Sequence, residues 1–259
     1  MTYSTKTLVE IYEKYREIND THDKLLLGLM SFQQTLKNEK AREYLMQGVG
    51  RRLKTLTRCI NNIFSIFPPE RIQNLSKDEL TDITINLHAF FINIAGIFDN
   101  LAWVFAHEND LLGKVSEGKI PKNLVGLFKK ETQKNLKTEL NDYLNSETMK
   151  LWYEDYSKIY RDSLAHRIPL YVPPALFSKD EEKEFQNIEE QIQTLDFSKE
   201  CDREKYNELR SKQQALGGVS HLFGHSPTEG NRAVYFHAQV LSDYATVEEV
   251  INKFCKNFS

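Results

Sequence analysis

An all-α fold is what the 259 residues predict: a helical bundle with a charged helical-hairpin insertion and a short C-terminal helix. Three observations carry that expectation. Glycine and proline are sparse, at 11 and 7, while Leu, Lys, Glu, Asn and Phe dominate, which favours helices over tightly turned sheets. Apolar residues recur three and four positions apart along most of the chain, the repeat of a helix face. Ser76-Lys77-Asp78-Glu79 and Ser178-Lys179-Asp180-Glu181 are capping boxes, in which the serine satisfies one backbone amide and the glutamate reaches back to another.

The elements follow in order. From about Thr5 to Asn38, Leu8, Ile11, Tyr15 and Ile18, then Leu25, Leu29 and Phe32, mark a first helix. A second runs roughly from Glu39 to Phe67, with Leu45, Val49, Leu53, Leu56, Ile60 and Ile63 on one face, and Pro68-Pro69 ends it. Ser76 opens the longest helix, to about His107, which is apolar nearly all round and therefore central. Its window Leu87 to Phe105 has the apolar character of a membrane span, but Asp99, Asn93 and Asn100 inside it favour a buried core helix.

Residues 108–122 read as a loop, and a helix is expected from about Asn123 to Leu144. Ser146 then caps a run that ends at Ile168-Pro169. LYVPP beyond it is extended, since consecutive prolines exclude helix. Two charged helices, about Lys179 to Thr194 and Lys199 to Leu216, have few large apolar residues and form the projecting hairpin. Gly217-Gly218 begins a loop to Arg232; Ala233 to Tyr244 is apolar, and Thr246-Val247-Glu248-Glu249 opens the short last helix. The expected division is a core of residues 1–169, an insertion of 170–232, and a C-terminal segment, 233–259, packing back on the core.

A net charge of −3 supplies no global field for nucleic acid, so such binding needs a local patch. Two basic clusters are available: seven lysines against two glutamates between Lys114 and Lys137, and Arg51, Arg52, Lys54 and Arg58. Both are ordinary solvated faces unless they border a reactive cleft. Cys59, Cys201 and Cys255 are widely spaced and form no CxxC pair, and residues 1–13 lack a signal peptide's apolar core, so a reduced, cytoplasmic setting without membrane attachment is expected.

Reactive groups are densest in Tyr160-Arg161-Asp162-Ser163-Leu164-Ala165-His166-Arg167. Asp162 and His166 are four apart and share a helical face, so the carboxylate can fix the imidazole's tautomer and raise its basicity. Arg161 lies about 140° round the axis from His166, within reach if the helix unwinds before Pro169. An imidazole moving protons near neutral pH beside a fixed guanidinium suits metal-free RNA cleavage by the neighbouring 2′-hydroxyl. The plain alternative is a helix C-terminus carrying cations that suit its dipole. In the central helix Asn86, Asn93, Asn100 and His107 recur every seven residues on one face. They form either a polar seam between helices or a wall of the reactive cleft, with Asn93, Asn100 and Arg167 as substrate contacts. His88, His107, His166, His221, His225 and His237 raise the question of a metal site, but no HxxxH or ExxH pair shares a helix, and no metal or cofactor is expected.

RDSLAH, with a polar residue after the arginine and the histidine five positions on, resembles the motif of the HEPN (higher eukaryotes and prokaryotes nucleotide-binding) superfamily, and FDNLAW resembles the segment packed against it. The likeness covers roughly residues 5–169. It implies an all-helical bundle and metal-independent endoribonuclease action, with His166 transferring protons, Arg161 on the phosphate and Asp162 as its polar companion. It implies a homodimer with two motifs facing one cleft, single-stranded RNA as substrate, and a toxin–antitoxin or antiviral setting with an antitoxin or regulatory partner. Non-catalytic members that bind or assemble supply the alternative. Members paired with a nucleotidyltransferase carry a tyrosine two places after the histidine; Ile168 stands there, which speaks against control by tyrosine adenylylation.

Overall fold

A computed structural model describes residues 3–109, 111, 113, 125–224 and 233–258. Among the described residues the fold is all-α apart from two short strands. Helix α1 (Thr5–Thr35) is capped by Ser4, whose side chain accepts from the Thr7 amide. Helix α2 (Glu39–Glu43) runs through a π-helical turn, Tyr44–Gly50, into α3 (Arg51–Ile66). The sequence contains the reason: Leu45, Val49 and Leu53 are spaced by four, wider than the α repeat, and the π-turn keeps all three fully buried.

Helix α4 (Lys77–Glu108) opens with the expected Ser76 capping box and lies at the centre. It is long and apolar enough to cross a membrane, but more than half of its apolar window is buried within the bundle. Phe90, Phe91, Ile94, Ile97, Phe98 and Leu101 anchor the core. Helices α2 and α3 cover one flank of α4; the segment carrying the motif covers another.

The helix expected from Asn123 to Leu144 is instead broken: residues 123 and 124 lie outside the described chain, and α5 (Lys130–Gln133) and α6 (Thr138–Asn145) follow. Thr132 Oγ1 accepts from the Gly126 amide and the Asn257 side chain accepts from the Lys137 amide, satisfying backbone donors at the breaks. Ser146 caps α7 (Glu147–Trp152) as expected. A second π-turn, Tyr153–Ser157, leads into α8 (Lys158–His166).

Beyond it the chain is extended. Tyr171 pairs with Gly224 and Leu176 with Gly218 in isolated antiparallel bridges. The hairpin is present as α9 (Lys179–Gln193) and α10 (Glu200–Gln214). It has its own small cluster, Ile188, Ile192 and Leu209, separate from the main core. Within the stretch read as a loop, β1 (Leu222–Phe223) pairs with β2 (Val234–Tyr235).

The C-terminal helix is not short. Helix α11 (Phe236–Asn257) is continuous through the apolar run, and Phe236, Val240, Tyr244, Val247, Val250, Ile251 and Phe254 are fully buried. Thr246 does not cap a new helix; its hydroxyl donates to the Ser242 carbonyl inside α11. The spacing Phe236, Val240, Tyr244, Val247 is already helical, and it carries the helix across the expected boundary.

Candidate functional site

Helix α8 delivers the Arg–His motif to the surface, and three attachments fix it there. Tyr160 packs on Phe91 of α4 and Phe223 of β1, at ring-centroid distances of 5.0 and 5.5 Å. His88 of α4 bonds to the Leu170 carbonyl just past the helix end, 2.8 Å away; since a carbonyl only accepts, its Nε2 carries the proton. The third attachment is Asp243 of α11, fully buried. It accepts from Trp152 Nε1 (2.8 Å), the Tyr156 hydroxyl (2.9 Å) and Gln239 Nε2 (2.9 Å). Trp152 immediately precedes the second π-turn and Tyr156 lies within it, so Asp243 ties the approach to the motif to the C-terminal helix.

At the surface Tyr160 and Ser163 turn inward, Arg161 and Asp162 are half-buried, and His166 and Arg167 are exposed. The helix ends as Ile168-Pro169 requires: Arg167 is extended, and its amide bonds to the Ser163 carbonyl. Asp162 does not hold His166. Its Oδ1 lies 3.1 Å from Arg161 Nε in an ion pair. His166 is the last helical residue and points to solvent, whereas the long arginine folds back on its neighbour.

A second carboxylate joins this end. Asp99 of α4 is held above its ordinary pKa by burial, opposed by the charges of Arg161, then Arg52 and Lys129. Tyr153 is raised by burial and feels Asp99, Arg161 and Asp162. The Asp99 carboxylate therefore stands within electrostatic reach of the motif arginine on one flank and of Arg52 on the other.

Arg52 explains the amide stripe. Its Nε donates to Asn100 Oδ1 (3.1 Å) and its Nη1 to Asn93 Oδ1 (3.0 Å), while Asn62 donates to Asn86 Oδ1 (2.9 Å). His107 stacks on Tyr44 at 5.3 Å. The stripe is thus a polar seam between α4 and the π-turn and α3, and Asn93 and Asn100 contact Arg52 rather than the motif. An open cleft of about 630 Å³ lies in front of the seam, lined by Arg51, Arg52, Asn93, Asn100, Tyr44 and His107 among others. Of the basic clusters, Arg51 and Arg52 border this cleft and Lys129 acts on Asp99, while Lys54 and Arg58 are exposed on α3. Lys114, Lys119 and Lys122 lie outside the described residues.

Two of the histidines, His221 and His237, meet in an aromatic cluster with ring centroids 5.6 Å apart, and this pair is not a metal-ligand set. His237 is buried, bonded to the Phe67 carbonyl and Tyr3, and burial holds it down at about 3. His221 is buried among Phe67, Tyr3 and Phe236, and His225 lies outside the described residues. Among the described residues no three histidines, cysteines or acids are grouped as metal ligands would be.

Asp243 was not singled out by spacing, Asp99 was read only as a polar residue of the core helix, and Arg52 only as one member of a basic cluster. FDNLAW contains Asp99 and Asn100, but their neighbours come from residues 48 positions before Asn100 and 62 after Asp99. Comparison with family models, with curated proteins and with solved structures returns no match in any of the three.

Proposed function

We propose that the chain is a metal-independent endoribonuclease of HEPN type. The observation that supports it best is that an exposed His166 and a half-buried Arg161 are carried on one helix end fixed by three separate attachments. In this reading the 2′-hydroxyl of single-stranded RNA attacks the adjacent phosphorus and the P–O5′ bond breaks, leaving a 2′,3′-cyclic phosphate and a protonated 5′-hydroxyl. His166 takes or returns the proton at the reacting oxygens, and the Arg161 guanidinium stabilises charge on the non-bridging oxygens. Asp162 holds the guanidinium's orientation until the phosphate competes for it. Arg167, exposed next to His166, contacts the strand.

The chemistry calls for a strand with 2′-hydroxyls and for no chelatable ion. In EDTA the protein is expected to cut an RNA oligonucleotide and to spare the same sequence with 2′-deoxy sugars. Intact RNA at micromolar enzyme would overturn the nuclease and leave a non-catalytic RNA-binding or assembly module, the reading that the Arg161–Asp162 pair favours.

The active form in this proposal is a homodimer over the motif face, acting in a cytoplasmic toxin–antitoxin or antiviral role with an antitoxin or regulatory partner. Ile159 and Ile168, exposed on and just beyond α8, and Ile92 on α4 give that face apolar surface to bury. Light scattering at micromolar concentration is expected to give twice the 30.3 kDa chain mass; a monomer contradicts the dimer.

A further inference from the structure

We propose that the cleft between the first π-turn and α4 binds a phosphorylated nucleoside, with Arg51 and Arg52 taking the phosphate and the Tyr44–His107 wall taking the base. This goes beyond the cleavage reading, because no part of it uses His166 or Arg161.

The anion site is built before any ligand arrives. Two neutral amides, Asn93 and Asn100, hold Arg52 through Nη1 and Nε. Neutral acceptors fix the guanidinium without cancelling its charge, and among the described residues its Nη2 donates to no protein acceptor. That leaves the Nη2 end of the guanidinium to donate to a phosphate. The backbone is shaped around this arrangement. A Cβ at Gly96 would collide with the Arg52 guanidinium, and one at Gly48 with the Asn100 side chain. Arg51 stands exposed beside it. The other charges lining the cleft, Lys40 and Glu43, neutralise one another in a 2.6 Å ion pair. Arg51 and Arg52 therefore remain the cationic groups of the cleft lining, with Asp99, outside that lining, acting on Arg52 from its other flank.

The far wall is aromatic. Tyr44 and His107 stack with 28° between their planes, and Trp103 lies 6.0 Å from Tyr44. Burial, with Lys40 nearby, holds His107 below its usual pKa, so it presents a neutral ring rather than a competing cation. A cleft of about 630 Å³ is much larger than inorganic phosphate needs, and it falls within the roughly 300–1,000 Å³ range of small-molecule sites. Phosphate at the arginines and a planar ring on the aromatic wall describe a nucleotide, whether free or at an RNA end.

Calorimetry on the full chain in EDTA tests this with AMP, UMP, adenosine, inorganic phosphate and a short RNA, the last on His166→Ala protein to prevent cutting. A mononucleotide is expected to bind at least about tenfold tighter than adenosine or phosphate alone. Arg51→Glu and Gly96→Ala should each weaken binding by about tenfold or more. The first reverses a charge on an exposed side chain. The second displaces the guanidinium at the end of its flexible stem, and alanine's helix preference offsets part of the two lost hydrogen bonds, so both variants should stay folded, with Gly96→Ala melting a few degrees lower. His166→Ala should bind the mononucleotide unchanged, which separates this site from the motif. Binding of the short RNA alone, lost in both variants, keeps the chemistry and assigns the nucleotide to a strand end. No binding of any probe at millimolar concentration, or binding indifferent to both variants, overturns the proposal.

Discussion

Replacing His166 with alanine is expected to slow RNA cleavage by about two to four orders of magnitude, the usual contribution of a positioned proton-transfer group. The fold should not notice. The side chain is exposed at the last helical residue, and surface changes of that kind move stability by about 0.5 kcal/mol or less. Arg161→Ala is expected to cost about two to three orders, as removal of an oxyanion donor does. Its Nε ion pair with Asp162 is part-exposed and worth about 1 kcal/mol at most, so folding survives that loss too. Arg161→Lys should restore only part of the rate, because an ammonium keeps the charge but not the planar fork. Single-turnover rates beside circular dichroism melts separate these effects. Wild-type rates in His166→Ala would remove the imidazole from the mechanism.

The largest effect on stability is expected at Asp243. Asp243→Leu would strand the Trp152 indole N–H, the Tyr156 hydroxyl and the Gln239 amide in a fully buried site. At about 1–3 kcal/mol for each unsatisfied group, the loss should exceed about 3 kcal/mol, a fall in Tm on the order of 10 °C. The same carboxyl makes stability depend on pH. Burial pushes it up to about 6, from an ordinary 3.8, against the pull of the three donors. Between about pH 4 and 6 the folded chain keeps a proton that the unfolded chain has released. Stability from this group is therefore full below pH 4 and falls as pH rises towards 6, by up to about 3 kcal/mol. Asp243→Asn cannot ionise and should lose that slope while keeping most of the hydrogen bonds, since the Tyr156 hydroxyl can turn to accept from the new amide. Denaturant melts at pH 4 and 6.5 check it: an unchanged slope in Asp243→Asn would place the titrating group elsewhere.

Local rules carried most of the architecture. Ser76, Ser146 and Ser178 each cap the helix they announce, because capping is decided within four residues. The misreadings come from longer range. The Lys137 amide is satisfied by Asn257, 120 positions away, so no local pattern marks the break before α6. At Thr246 a good cap sequence lies inside a helix, because the apolar face beneath it is continuous and burial outweighs the cap. The π-turn was visible as a spacing of four through Leu45, Val49 and Leu53, though such drift alone does not distinguish a π-turn from a curved helix.

The reactive end divides in the same way. Arg161 and His166 are five residues apart on one short helix, which stays wound through His166 and leaves the two side chains about 140° apart round the axis. Their sharing of a helix end follows from the chain itself. Which neighbour Asp162 chooses does not. Residues one apart are poorly aligned on a helix, yet a long arginine reaches back where an exposed terminal imidazole does not. The amide stripe was legible as a stripe, but its partner Arg52 depends on how α3 packs against α4. The shared position of Asp99, between Arg52 and Arg161, depends on three helices at once.

In the proposed mechanism one imidazole and one guanidinium act on the same phosphate. A double-mutant cycle over His166→Ala and Arg161→Ala, followed by single-turnover RNA cleavage in EDTA, measures that directly. Groups acting as a unit are strongly non-additive, so the double variant should be about as slow as the slower single variant. Rate losses that simply multiply would mean that the two side chains work independently, and the account of a joint site would be wrong.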